Sequence, residues 1–310
     1  MDNKIELGLI GLGKMGFNMG SRMLESGDVN LHTYDINEDS RKKIEEAGGV
    51  AKTSIKDLVS GLWQERKIIW MMLPSGKITE DSFQEILSLL KKNDIIIDGG
   101  NSNFHDTLRR HKECEEKGIK MLDVGVSGGI IAATKGYPMM IGGEKETYEY
   151  CKRIFDSFGL KEGFDLVGKG GSGHYVKMIH NAIEYGMMQS ISEGFDLLKN
   201  GRIDNLDLKR ISHIWNHGTI VSSFLMEMVE QAFENSCEIK DCNLEKILPI
   251  IDDNGEGRWS ANEAMEFGVP FVANTYALQA RYISRDQNSF SFKLTAAIRN
   301  EFGGHTLHKK

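Results

Sequence analysis

The residues best suited to chemistry lie between Gly170 and Met188: Lys177, His180, Asn181, Glu184 and Tyr185. Their spacing of i, i+3, i+4, i+7 and i+8 puts all five on one face of an α-helix. Val, Met, Ile, Ala and Gly fill most other positions, the pattern of a helix buried around most of its girth. A polar stripe on such a helix either lines a cavity, because buried charge needs a partner, or belongs to an exposed surface helix. Within a cavity, burial lowers the pKa of a lysine and raises that of a carboxylic acid. Lys177 then suits a general base and Glu184 a proton donor. Two helical turns apart, they can bracket a substrate.

A second candidate site stands near the start of the chain. Gly11-Leu12-Gly13-Lys14-Met15-Gly16 fits G-x-G-x-x-G, between an apolar run ending at Ile10 and a helical pattern opening near Lys14. Glycines there permit a tight turn, and the N–H groups of the helix N-terminus cradle a pyrophosphate. The other reading is a plain strand–turn–helix corner. Asp35 ends the next apolar run, 24 residues after Gly11. A carboxylate there accepts hydrogen bonds from both ribose hydroxyls and repels a 2′-phosphate. Ile36-Asn37-Glu38-Asp39 follow it without an arginine, so NAD is expected over NADP; Asp35 also suits the cap of the next helix.

These sites need a scaffold. Leu7–Ile10, Leu31–Tyr34, Ile68–Met72, Ile95–Ile97 and Met121–Val124 read as short buried strands, with Tyr137–Ile141 and Phe164–Val167 extending the set. Amphipathic stretches such as Asp81–Lys91 and His105–Lys117 separate them. The alternation predicts an α/β Rossmann-type sheet, parallel and doubly wound. From about Ser172 the signal is helical: one long run to Asn200, then Leu206–Asn216, Ile220–Phe233, Ser260–Phe267, Phe271–Ser284 and Ser291–Phe302. The expected division is a dinucleotide-binding domain over 1–172 and an all-α substrate and dimerisation domain with a C-terminal tail over 173–310.

The chain has 310 residues, 40% of them hydrophobic, and a net charge of -7, enough for a substantial core. No basic surplus points to nucleic acid, and no apolar run approaches the length of a membrane span. The N-terminus lacks the pattern of a secretory signal. Cys114, Cys151, Cys237 and Cys242 form no C-x-x-C pair, so no metal is expected. Together these features predict a cytoplasmic protein.

Lys177-Met178-Ile179-His180-Asn181-Ala182-Ile183-Glu184-Tyr185-Gly186 resembles the catalytic helix of 6-phosphogluconate dehydrogenases. Ile97-Asp98-Gly99-Gly100-Asn101-Ser102 resembles that family's nicotinamide- and substrate-contacting loop, and Val126-Ser127-Gly128-Gly129 its substrate loop. Gly255-Glu256-Gly257-Arg258-Trp259 and Arg299-Asn300-Glu301-Phe302-Gly303-Gly304-His305 are also similar to family motifs, so the likeness spans nearly the whole chain. The resemblance implies that Lys177 takes the C3 hydroxyl proton as hydride leaves C3 for the nicotinamide. Protonated Lys177 then polarises the new carbonyl while carbon dioxide departs, a developing charge that a fixed cation stabilises, and Glu184 protonates C1 of the resulting enediol to give ribulose 5-phosphate. It further implies that Asn101, Ser127, Gly128, Gly129, His180, Asn181 and Tyr185 hold the sugar acid, while Arg281, Arg299 and His305 hold its phosphate. By the same resemblance Leu73, Pro74, Ser75 and Asn101 join Gly11–Gly16 and Asp35 as the expected cofactor set. In the family the tail reaches a neighbouring subunit, which implies a homodimer or homotetramer.

The sequence resembles the short NAD-linked branch, with Asp35 where NADP-linked members carry Asn-Arg-Thr. Asn254 and Glu256 stand where long-form members have Lys and Thr beside the phosphate, with Arg258 a possible compensation, and Ile130-Ile131-Ala132-Ala133 is more apolar than the long-form pattern. The competing enzyme reading is a β-hydroxyacid dehydrogenase of the 3-hydroxyisobutyrate or tartronate-semialdehyde type. It would share the glycine turn, the Ser-Gly-Gly loop and the lysine but would not require Glu184, His180-Asn181 or the Arg299/His305 pair.

Overall fold

The computed structural model describes residues 4–129, 131–236, 244, 247–286, 288–303, 306 and 308. They form two compact units, Met1–His180 and Asn181–Lys310. The first opens with β1 (Ile5–Ile10), α1 (Lys14–Ser26), β2 (Val29–Tyr34), α2 (Glu38–Glu46), β3 (Val50–Ala51), α3 (Ile55–Gly61), β4 (Ile68–Met71), α4 (Lys77–Leu89), β5 (Ile95–Asp98) and α5 (Phe104–Glu116). It continues with β6 (Lys120–Val126), α6 (Ala132–Lys135), β7 (Tyr137–Gly143), α7 (Lys145–Phe158), β8 (Gly159–Gly168) and the start of α8 (Ser172–Asn200).

The eight strands lie in the order β3-β2-β1-β4-β5-β6-β7-β8. The strand order reverses at β1, which pairs with β2 on one side and β4 on the other. In open α/β sheets the ligand crevice lies outside the carboxyl ends of the strands at such a point. Every residue of β4 and β5 is buried, because helices cover both faces. On one face Trp70 meets Phe155 and Phe158 of α7 edge-on, at 5.8 and 5.4 Å between centroids. On the other, Ile69, Met71 and Ile96 pack with Leu58, Phe83 and Ile86.

The sheet departs from the parallel expectation at one place, where β7 runs antiparallel to β6. Only the turn around Ser127 and the four-residue α6 connect these strands, too little chain for a parallel crossover, which takes a dozen or more residues. The parallel pattern resumes at β8 because α7 intervenes.

The second unit holds the remainder of α8 with α9 (Leu208–Asn216), α10 (Phe224–Ser236), α11 (Glu256–Glu266), α12 (Val272–Arg285) and α13 (Phe290–Gly303). No strand occurs in it among the described residues. Phe195, Leu208, Met226 and Phe233 form one small core and Tyr185, Ala261, Ala277 and Leu278 another. Among the described residues no helix is long and apolar enough to cross a membrane.

Candidate active site

At the carboxyl end of β1, Gly11 has φ +96° and a Cβ there would collide with the Met72 carbonyl oxygen. A Cβ on Gly16 would collide with the Gly11 carbonyl oxygen, so glycine lets α1 pack tightly on the turn. Gly13, by contrast, faces open space. It is the N-cap of α1, which has no side-chain cap and no acidic residue in its first turn. The uncompensated N–H groups and partial positive charge of such a terminus suit a pyrophosphate.

Asp35 lies beside this turn. Its Oδ2 accepts from the Leu12 N–H at 2.6 Å and its Oδ1 from the Asn37 N–H at 2.7 Å. Arg41 folds back one helical turn, and its Nη1 donates to the carbonyls of Asp35 (2.7 Å) and Ile36 (3.2 Å). The sequence reading looked only at the residues directly after Asp35 and missed this cation. Its position four residues past the N-cap Asn37 was the available signal.

A cleft of about 330 Å³ opens along the carboxyl ends of the strands. Its walls are Gly13–Gly16, the Met72-Leu73-Pro74 segment after β4, the Gly99-Gly100-Asn101 turn after β5, Gly125 and Val126 of β6, and Lys177. The expected cofactor residues Lys14, Met15, Leu73 and Pro74 thus meet Asn101 and Lys177 in one cavity. Gly11, Leu12, Asp35, Ser75, Ser127, Gly128 and Gly129 are not among its walls.

Two buried carboxylates, both missed in the sequence, position the chemical groups. Asp123 in β6 is fully buried. It accepts from the Gly171 N–H (2.7 Å), the His174 N–H (3.0 Å) and His111 Nε2 (2.9 Å). Desolvation alone would raise its pKa. The His111 bond, the charges of both histidines and the His174 amide outweigh that and hold it below the ordinary carboxylate value. Asp123 therefore caps α8 from outside the helix, and Lys177 follows one turn later. Close packing completes the seat: a Cβ on Gly125 would collide with the Lys177 Cβ, and one on Gly173 with the Asp123 carbonyl oxygen. This packing groups the first turns of α8 with the sheet.

Asp98, also fully buried, ends β5. Its Oδ2 accepts from Ser102 Oγ (2.9 Å) and Arg110 Nη1 (3.0 Å), and its Oδ1 from the Gly100 N–H (3.2 Å). These bonds close the turn that carries Asn101. Arg110 Nε reaches Glu80 Oε2 at 3.2 Å. The hydrogen bond from Arg109, with help from Gln84 and Arg110, holds the Glu80 carboxyl down at about 2 against partial burial.

In the second unit, buried Asn181 donates to Glu256, which is 2% exposed. Asn254 Nδ2 donates to the same carboxylate oxygen at 2.8 Å. The Tyr185 hydroxyl donates to Asn254 Oδ1 at 2.9 Å. The Arg281 guanidinium stacks on the Tyr185 ring at 3.5 Å, and its Nη1 donates to the Asp252 carbonyl at 2.7 Å. Burial pushes the Tyr185 hydroxyl pKa up. Asn254 and Glu256, the departures from the long-form pattern, are therefore bonded to two of the expected substrate residues. His180 and Glu184 are half-buried, Arg258 and Arg299 are exposed, and His305 lies outside the described residues.

Residues 6–168 match the model of the NAD binding domain of 6-phosphogluconate dehydrogenase, and residues 173–301 match that of its C-terminal domain. The chain belongs to the 6-phosphogluconate dehydrogenase family. It is 38% identical over 306 residues to the Bacillus subtilis protein YqeC, covering 99% of this chain and 100% of that one. It is 35% identical over 307 residues to the NAD(+)-dependent, decarboxylating 6-phosphogluconate dehydrogenase of Haloferax volcanii, covering 99% of each. Among solved structures, the Plasmodium falciparum 6-phosphogluconate dehydrogenase, described with its cofactor NADP+ and with 6-phosphogluconate, superposes with a TM-score of 0.83 at 31% identity. That match covers 98% of this chain but 66% of the longer one. The family membership does not favour the hydroxyisobutyrate-type alternative.

Proposed function

We propose that the protein oxidises and decarboxylates 6-phosphogluconate to ribulose 5-phosphate and carbon dioxide, with NAD as hydride acceptor. The observation that carries this reading is the cleft that brings Lys177 beside Asn101 and the open glycine turn. The turn fits a nicotinamide dinucleotide: Gly13 leaves room for a pyrophosphate, and the uncapped α1 terminus offers N–H groups to it. When bound, the nicotinamide supplies a hydride acceptor at C3 of the sugar acid.

Lys177 removes the C3 hydroxyl proton as hydride departs. The resulting ammonium stabilises the oxygen of the 3-keto acid while the C1–C2 bond breaks. Glu184 delivers a proton to C1 of the enediol. Asn101, Ser127, Gly128, Gly129, His180, Asn181 and Tyr185 orient the sugar acid, and Arg281, Arg299 and His305 bind its phosphate.

Preference for NAD rests on Asp35. Each of its oxygens accepts one backbone N–H and keeps a lone pair for a ribose hydroxyl, while its charge repels a 2′-phosphate. The name of the Haloferax relative agrees with this preference. We further propose a cofactor domain over 1–172, a substrate domain over 173–310, a cytoplasmic location and a homo-oligomer. Phe290, Leu294 and Ile298 of α13 are exposed on one helix face, and an apolar face of this kind marks an interface.

The test is direct. Purified protein is mixed with 6-phosphogluconate and NAD, and NADH absorbance and carbon dioxide release are followed together, with NADP in parallel. Equal yields of both products with NAD, and much less with NADP, support the proposal. NADH formation only from an unphosphorylated hydroxyacid would overturn the assigned substrate.

A further inference from the structure

Well away in sequence from these motifs, α9 and the turn that ends it carry His213 and His217, one helical turn apart, and α10 presents Glu230 to them. Each side chain offers one ligand atom, and the three atoms lie within 4.8 Å of one another. The two imidazole rings sit 4.2 Å apart. We propose that His213, His217 and Glu230 bind a divalent transition-metal ion of the zinc class. None of the three residues takes part in the proposed dehydrogenase chemistry.

Three features beyond proximity support the assignment. The Nδ1 of His217 donates to the His213 carbonyl at 2.6 Å. That bond fixes the tautomer and leaves Nε2 with its lone pair outward, the way a backbone carbonyl commonly orients a metal-binding histidine. Glu230 is half-buried and its Oε1 lies 2.6 Å from His213 Nδ1, so the carboxylate is already directed at the imidazole. Asn216 Nδ2 reaches its other oxygen at 3.4 Å, a bond from outside the ligand set that orients the carboxylate.

Two imidazoles and a carboxylate suit Zn²⁺, with water in the remaining position. Zinc bonds of about 2.0–2.1 Å set tetrahedral ligand atoms about 3.3 Å apart, so modest rotations of the two exposed rings close the set. The ion replaces the proton shared by His213 Nδ1 and Glu230 Oε1 at 2.6 Å and joins the end of α9 to α10. The absence of a C-x-x-C pair does not bear on this site, because its ligands are histidines.

The experiment uses tag-free full-length protein stripped with a chelator. Cobalt(II) is titrated in and its visible absorption recorded, then Zn²⁺ is added by calorimetry with the midpoint of thermal unfolding measured alongside. The expected result is one ion per chain, tetrahedral cobalt bands displaced by zinc, and a higher unfolding midpoint. His213→Gln, His217→Gln and Glu230→Gln should each weaken binding by at least about tenfold. The dehydrogenase rate of each variant should stay unchanged, which also verifies folding. Absence of binding would overturn the proposal. So would binding that survives the His213→Gln/His217→Gln double variant, since the ion would then sit elsewhere.

Discussion

Replacing Arg110 by Met tests whether the buried ion pair with Asp98 holds the Asn101 turn. Arg110 is 1% exposed and Asp98 fully buried, with 3.0 Å between Nη1 and Oδ2. Methionine fills much of the same volume but leaves a carboxylate in the core without its cation. Removing one partner of a buried pair costs about 3–5 kcal/mol. Asp98 keeps the Gly100 N–H and Ser102 Oγ bonds, which places the expected loss near the low end, at about 3 kcal/mol. Asp98→Asn should cost less, because Arg110 retains Glu80 at 3.2 Å. The double variant should then be more stable than the sum of the singles by about 1–3 kcal/mol. Urea unfolding followed by tryptophan fluorescence reports these differences, since Trp70 lies in the same sheet at 0% exposure. In the same variants kcat/KM should fall by about a hundredfold, the cost of displacing a positioned group by an ångström. An Arg110→Met protein within about 1 kcal/mol of the parent, with a coupling under about 0.5 kcal/mol and unchanged kcat/KM, would refute the positioning role.

Lys177→Ala should reduce kcat by at least about a hundredfold, the contribution of one general base, while fluorescence titration shows NAD binding intact; retained turnover would remove Lys177 from its role. Asp35→Ala should erode the ratio of kcat/KM for NAD over NADP, and an unchanged ratio would mean that Arg41 or another group sets the preference. Glu80 has a folded pKa of about 2 against an ordinary 4.5, so its stabilisation is present above 4.5 and lost as pH falls toward 2; Glu80→Gln should flatten acid unfolding across that window. Burial pushes the thiols of Cys114 and Cys151 up to about 12, so mass mapping after alkylation at pH 8 should find both unmodified until the protein is denatured.

The strands were legible because β1, β4 and β5 are continuous apolar runs, and the glycine turn because backbone geometry demands specific residues at specific offsets. The two-residue β3 (Val50–Ala51) was not legible, being shorter than any periodicity can register. The reversal at β7 was not read either, although the short link after Val126 contained the reason. At the site, local patterns could be read and long-range pairs could not. Lys177 stood out by its spacing within its own segment, and Asn101 only through the family resemblance. Asp123 with His111 and His174, and Asp98 with Arg110, are carboxylates and cations brought together only by the sheet, and a single sequence gives no sign of which buried aspartate meets which donor. Asn254 and Glu256 read as losses from a phosphate contact, whereas the fold gives them hydrogen bonds to Tyr185 and Asn181.

The long helix α8 also shows why polarity and burial need not coincide. Lys177, Asn181 and Tyr185 are buried, at 9%, 8% and 6% exposure, while Val176, Ile183 and Met187 are 37%, 48% and 41% exposed. An ordinary surface helix would turn the second row inward. The inversion requires that the polar row gain more from its partners than it loses in desolvation. Asn181 and Tyr185 do so through Glu256 and Asn254, and Asp123 with the two glycines fixes the turn that carries Lys177. It also requires something to cover the apolar row, because exposed aliphatic side chains lose about 25 cal/mol for each Å² left in water. The proposed homo-oligomer would satisfy that requirement. On this reasoning, subunit association and the orientation of the proposed catalytic lysine are two results of one choice of helix face. Charged substitutions at Ile183 or Met187 should therefore lower the oligomeric mass in light scattering before they alter NAD binding. If Ile183→Glu left the mass unchanged, the outer face of α8 would have to be explained without a partner.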